Sequence, residues 1–402
     1  MRDGWRQTTL GEVAEWFSGA TPKATDSSNY GGGIPWAVIA DVRNRPIEST
    51  ATTLTERGAA LAGRRAPVGS VLVTMYGTIG RSALVQREMA TNQAIAWGVP
   101  GPSVTSEFLF LLVQSLADDL DSLGRGATQR NINRRILKEM SVTVPPLVEQ
   151  RRIVDLIAAL DDTIQEHRNI EQSSGDLLDR MRDAVPPGEQ RRVGDVMREI
   201  VNGVTTSAAD QASGSGKQKF VKASAIQPGE FVASETKVAG DQEFDMRYYI
   251  NVGDVLMTRI NTPERVGQIA RVVDPVDGLL RPDLVWRLEL DRELVDPDYF
   301  VHALSGPSGR SAVSAEASGT SRSMQQISKT RFANVPLSIP RLDVQGAFAD
   351  RCNAVLAVKR QAIETISRLA ALRTNLLTAV LSGEHEIPAS YDDLIETRLE
   401  AA

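Results

Sequence analysis

The chain has 402 residues, 42% of them apolar and 24% charged, with a formal net charge of -6. That composition suits a globular protein with room for two full cores, and the acidic balance argues weakly against a nucleic-acid partner. The single cysteine (Cys352) excludes an internal disulfide and fits a reducing cytoplasm. Three scattered histidines make a Cys/His metal site unexpected, and no apolar run is long enough to span a bilayer.

Elements in chain order predict an α+β (mixed α/β) architecture. Residues 1–146 form a first globule. Short β-type segments (Trp36–Ile39, Ser70–Thr74, Ser82–Val85, Ala94–Trp97) are punctuated by Gly, Pro and Asn, and a helix is expected over Ser106–Ser122. The irregular sheet is expected to be mostly antiparallel. Between Gly124 and Lys138 stand five basic residues and no acid, a basic stripe that the net charge conceals. Residues 147–187 then change character. Ile153, Leu156, Leu160, Ile170, Leu177, Met181 and Ala184 fall on three- and four-residue steps, with Ile157 and Ile164 broadening the seam. This predicts a helix on the order of 50 Å long that needs a partner helix.

Residues 188–340 repeat the plan, and 341–383 supply a second long helix with Phe348, Val355, Val358, Ala362, Leu369, Leu372, Leu376 and Ala379 on its seam, before a tail at 384–402. The stretch Ser207–Gly216 reads as a loop. A constant offset of 195 carries Leu137 onto Phe332, Pro145 onto Pro340, Gln150 onto Gln345 and Leu177 onto Leu372. A repeat of this length is a duplicated domain plus helix. Two equal seams can satisfy each other as an antiparallel coiled-coil pair that joins and separates the globules. Ile153, Leu160 and Leu177, with Val355, Leu369 and Leu376, are the expected docking positions on those helices.

No catalytic constellation accompanies the duplication. Ser213-Gly214-Ser215-Gly216-Lys217 lacks the upstream glycine and the Ser/Thr of a phosphate loop. Asp283, Glu289 and Asp291 lack the lysine of a nuclease set, and Gly77-Thr78-Ile79-Gly80 is too short for a dinucleotide fingerprint. A duplicated chain without duplicated chemistry reads as a two-handed binder.

Polar loops give the positive signal. Arg125, Thr128, Gln129, Arg130, Asn131, Asn133 and Arg134 combine guanidinium, amide and hydroxyl groups that suit base edges and phosphates. The second copy keeps that chemistry with Ser321, Arg322, Gln325, Gln326 and Lys329. A second turn recurs as Thr74–Arg81 and Thr258–Gly267, where Tyr76, Arg81, Arg259 and Asn261 are within reach of a groove. Double-stranded DNA is the expected ligand, although a hairpin turn alone explains the second pair nearly as well.

The run from Gly126-Ala127-Thr128-Gln129 through Val144-Pro145-Pro146-Leu147-Val148-Glu149-Gln150-Arg151-Arg152-Ile153, the opening Trp5 and Leu10-Gly11-Glu12-Val13, and the ending Leu377–Gly383 resemble the specificity subunits of type I restriction-modification systems. The resemblance covers nearly the whole chain. It implies two target recognition domains that read an asymmetric bipartite DNA site, and long helices that act as spacer and dock two methyltransferase subunits. Restriction/translocase subunits would join through those. It also implies a non-catalytic chain: S-adenosylmethionine, ATP and Mg2+ would belong to the partners, in a bacterial or archaeal cytoplasm. Ser338-Ile339-Pro340-Arg341-Leu342-Asp343 departs from the pattern by lacking the double proline and the Glu-Gln pair. Two alternatives carry other functions: a helical-rod scaffold that binds no DNA, and a specificity-like subunit of a different phage-defence assembly.

Overall fold

The fold was analysed in a computed structural model, which describes residues 3–124, 130–205, 218–239, 243–321, 324–383, 385–388 and 390–392. The chain divides into two compact units: Met1–Glu166 with Thr365–Ala402, and His167–Glu364. Helices and antiparallel sheets mix in both, as the order of elements predicts. The loop expected over Ser207–Gly216 lies outside the described residues.

In the first unit a four-stranded antiparallel sheet has the order Ala14–Ser18, Ile95–Pro100, Val71–Thr74, Ser82–Leu84. Val71, Val73 and Ala96 send their side chains into a core shared with Phe108, Leu111 and Leu112 of the helix Ser106–Ser115. The hydroxyl of Thr105 caps that helix, accepting from Phe108 N at 3.1 Å. The helix expected over Ser106–Ser122 is broken at Leu116, and a separate helix runs Ala117–Ser122. Arg6–Thr9 and Ser141–Val144 form an antiparallel ribbon that leads into the first long helix, Leu147–Asp183. The strand expected over Trp36–Ile39 lies earlier, at Tyr30–Ala37, and makes one parallel pairing, to Ala90–Thr91.

The second unit repeats this frame. Its sheet has the order Met197–Val201, Val285–Leu290, Val255–Thr258, Ile269–Arg271, again antiparallel. The helix Pro297–Ser305 occupies the place of Ser106–Ser115, with Asp296 as its cap and Pro297 in its first turn. The ribbon Glu189–Arg192 with Pro336–Ile339 leads into the second long helix, Leu342–Leu381.

The duplicated glutamine explains how each long helix is anchored. Gln150 is fully buried. Its Nε2 donates to the carbonyls of Ser103 (2.8 Å) and Pro145 (2.9 Å), and its Oε1 accepts from Thr105 N at 3.1 Å. Gln345 does the same in the second unit, donating to Leu294 O (3.0 Å) and Pro340 O (2.8 Å) and accepting from Asp296 N at 2.8 Å. Each amide thus ties the start of a long helix to the cap of the globule's main helix. Three backbone groups, one buried and two half-buried, are satisfied at once. Glu149, beside it, accepts from Trp5 Nε1 at 2.7 Å, which accounts for two further residues of the sequence motif.

The seam on the long helices departs from the heptad expectation. Ile153 is buried as expected, but the second buried column is Ile157, Ile164 and Leu178, four residues on instead of three. On the second helix Phe348 and Ala362 are buried, and Cys352 and Leu356 follow Phe348 at four-residue steps. Ile170, Leu177, Val358 and Leu372, placed in the seam by periodicity, are exposed. The reason is the direction of helical side chains, which lean toward the N-terminus and align at i and i+4. A face that packs on a globule as well as on a helix is wider than a two-column seam.

Candidate nucleic-acid interface

The two polar segments singled out in each copy meet through the backbone. In the first unit Ile132 N donates to Met75 O at 3.0 Å, Gly77 N donates to Arg130 O at 3.3 Å, and Tyr76 bridges Asn131 antiparallel. In the second, Ile327 N donates to Arg259 O at 3.1 Å, and the strand Ile260–Asn261 pairs with Met324–Gln326. These are the same connections in both copies: Ile132 and Ile327 are buried anchors, and the residues around them differ. The turn between them is closed alike. Gly80 N donates to Thr74 O and Gly267 N to Thr258 O, with φ of +83° and +71° that disfavour any other residue. A Cβ would lie 2.8 Å from Ala117 O at Gly80 and 2.4 Å from Val313 Cγ1 at Gly267.

At the first edge, Arg125, Thr128 and Gln129 lie outside the described residues. Arg130 is exposed but engaged: it pairs with Asp121 Oδ2 at 3.0 Å and also donates to the Asp121 carbonyl. Asn133 spends its side-chain oxygen on capping the helix Arg134–Glu139, accepting from Ile136 N at 3.0 Å. Arg81, Asn131 and Arg134 are exposed, and Tyr76 is half-buried against the core. Arg134 lies with Arg135 and Lys138 in a groove of about 630 Å³ that also contains Glu12 and Glu139, so its charge is mixed.

At the second edge, Arg322 and the side chain of Ser321 lie outside the described residues. Gln325 pairs through its backbone with Asn261, whose Oδ1 accepts from Thr262 N at 2.9 Å and whose buried Nδ2 has no partner among the described residues. Arg259, Gln326 and Lys329 come together in one cleft of about 380 Å³ with Asn202, Trp286 and Ser328. Asn202 and Trp286 carry no signal in the sequence, because they arrive from the end of the strand Met197–Val201 and from the strand Val285–Leu290, distant in sequence. Ser328 caps the short helix Lys329–Ala333 as Asn133 caps its counterpart.

Among the described residues no cluster of His, Cys, Asp or Glu could hold a metal ion, and no helix is long and apolar enough to cross a membrane. Residues 2–173 match the family profile described as the type I restriction modification DNA specificity domain. The MjaIX specificity subunit of Methanocaldococcus jannaschii is 26% identical over 170 residues, which is 41% of this chain and 39% of that relative. The EcoKI specificity subunit of Escherichia coli is 21% identical over 425 aligned residues, 96% of this chain and 90% of that one. In fold, the type I restriction-modification S subunit from M. genitalium superimposes with a TM-score of 0.56 at 11% identity, over 96% of this chain and 97% of its own length.

Residues 2–173 carry the family's DNA specificity domain, and the chain as a whole is similar to type I restriction-modification specificity subunits. Within that family's profile fall the first copy of the paired turns, Trp5, Glu149 and Gln150. The second copy lies beyond it, and its Gln345 anchor is nonetheless built with the same three hydrogen bonds.

Proposed function

We propose that this chain is the non-catalytic DNA-specificity subunit of a type I restriction-modification complex. The observation that carries this reading is the paired-turn edge, present in both units with one backbone wiring and different side chains. Met75 stands where the second copy has Arg259, Arg130 where it has Gln325, Asn131 where it has Gln326, and Arg134 where it has Lys329. One frame with two sets of readers suits two half-sites of different sequence. Residues 1–146 and 188–340 would be the recognition domains, with 147–187 and 341–383 as antiparallel spacer helices between them.

Docking of two methyltransferase subunits has its own support. Leu177 and Leu372, related by the repeat, are 46% and 50% exposed, and Leu147 and Leu342, which open the two long helices, are 51% and 44% exposed. Matched apolar positions suit two copies of one partner. S-adenosylmethionine would sit on those partners, and ATP and Mg2+ on the restriction/translocase subunit they recruit, in the cytoplasm.

Methylome sequencing of the host with and without the gene tests the reading. Loss of adenine methylation at one asymmetric, two-part motif is the expected result. An unchanged methylome, or loss at a contiguous or palindromic motif, sinks it and leaves the helical-scaffold alternative.

A further inference from the structure

We infer that the cleft formed by Arg259, Lys329, Asn202, Gln326, Trp286 and Ser328 in the second unit holds one DNA backbone phosphate, and so sets the register of that unit on the duplex. This inference rests on the DNA-specificity reading above and assigns one contact within it.

Three observations carry it. First, none of the residues that line the cleft is acidic, and two are cationic. This contrasts with the first unit's groove, where Glu12 and Glu139 stand among the basic residues. Second, Arg259 is fixed at its backbone from both sides. Its N–H donates to Leu284 O at 2.8 Å and its carbonyl accepts from Ile327 N at 3.1 Å, while its half-buried guanidinium has no partner among the described residues. A guanidinium that rises from a fixed backbone with no carboxylate beside it is open to an anion. Lys329 is likewise oriented, donating from Nζ to Ile200 O at 2.5 Å, with further donor capacity on its ammonium. Third, the rest of the lining offers donors: the amides of Asn202 and Gln326 and the hydroxyl of Ser328. A phosphate accepts on every oxygen and carries the charge that two cations favour. The edge of a guanine, the other acceptor-rich candidate, is neutral and needs one bidentate donor.

The test is equilibrium binding of the full chain to a random-sequence duplex library over a range of salt concentrations, with sequencing of the bound fraction. Each phosphate neutralised contributes a slope of about -0.9 in log K against log salt. The double variant Arg259→Ala/Lys329→Ala is expected to lose about 0.9 of slope, one phosphate's worth, while the selected sequences stay the same. Arg259→Lys, which keeps the charge and spares the backbone bonds, is expected to retain the wild-type slope. An unchanged slope in the double variant, or a loss of about 1.8, overturns the single-phosphate assignment. Altered sequence preference also overturns it, in favour of base reading. Arg259→Lys losing as much slope as the double variant also overturns it, because charge at this position would then not be what binds. A wild-type chain that selects no sequence while still binding with this slope refutes the specificity reading and leaves the phosphate site standing. A wild type that binds no duplex refutes both.

Discussion

The two units place the same backbone frame around opposite interior chemistry. In the first unit the long helices touch through a bidentate ion pair, Arg373 to Asp161 at 2.6 and 2.9 Å. The repeat carries those positions onto Leu178 and Leu356, which are buried together in the second unit's core. Deeper in the globule the exchange runs the other way. Leu111 and Leu377 pack in the first core, whereas the second unit has His302 and Arg182 at the matching places. Arg182 is 3% exposed and donates from Nε to His302 Nδ1 at 3.2 Å, while His302 Nε2 bonds Asn353 Oδ1 at 2.8 Å. A neutral ring protonated on Nε2 satisfies both neighbours. Burial, then the charge of Arg182, pushes His302 down to about 4, and burial lowers Arg182 to about 10. Hydrogen bonds to backbone therefore hold the frame constant while side-chain polarity varies inside it, and Arg182 Nη2 remains buried without a partner among the described residues.

The largest expected effect probes the constant part. Gln150→Leu and Gln345→Leu each orphan three backbone groups, one buried and two half-buried, and should each destabilise their own unit by about 2–4 kcal/mol. Denaturant unfolding followed by hydrogen exchange would read this unit by unit, and a cost confined to one unit would break the equivalence. Acid probes the variable part. The unfolded chain takes up a proton on His302 near 6.5 that the folded chain refuses until about 4. Stability of the second unit is thus complete above pH 6.5 and falls as pH drops toward 4, by about 3 kcal/mol over the whole interval. The double variant Arg182→Leu/His302→Leu, which restores the first unit's apolar pair, should remove this contribution; equal acid sensitivity with and without it would discard His302 as the cause.

A third expectation concerns the edges. Arg130→Ala should weaken one half-site alone by about 1–3 kcal/mol, the range of a good base contact. Equal loss at both half-sites, in competition binding with each half altered in turn, would point to its clamp on Asp121 instead. The smallest effect is at the helices. Asp161 and Arg373 are partly solvated, so Asp161→Leu/Arg373→Leu should change stability by less than about 1 kcal/mol.

The duplication was legible because it is written in residues whose backbone roles cannot change, such as Gln150 and Gln345 or Gly80 and Gly267. The seam was half legible: Ile153, Phe348 and Ala362 were found, while Ile170, Leu177, Val358 and Leu372 were misplaced because heptad counting ignores the globule on the same helix face. The buried Arg182 was invisible, since an arginine near a helix end reads as a solvated charge. The cleft was found in part. Arg259, Gln326 and Lys329 stood out as polar loop residues, but their meeting with Asn202 and Trp286 depends on sheet pairings between distant strands.

The exchanged polarity has a consequence for how such genes can be cut and rejoined. If two copies of the first helix paired with each other in the same antiparallel manner, Asp161 would face Leu178 of its twin. Two copies of the second would set Leu356 against Arg373. Either match breaks the ion pair and parts Leu178 from Leu356, which biases each helix modestly toward the other over itself. A hybrid that imports a foreign recognition unit keeps this lock only if the crossover leaves Asp161 with Arg373 and Leu178 with Leu356. The repeat looks like an invitation to shuffle halves; these four side chains favour one place for the joint.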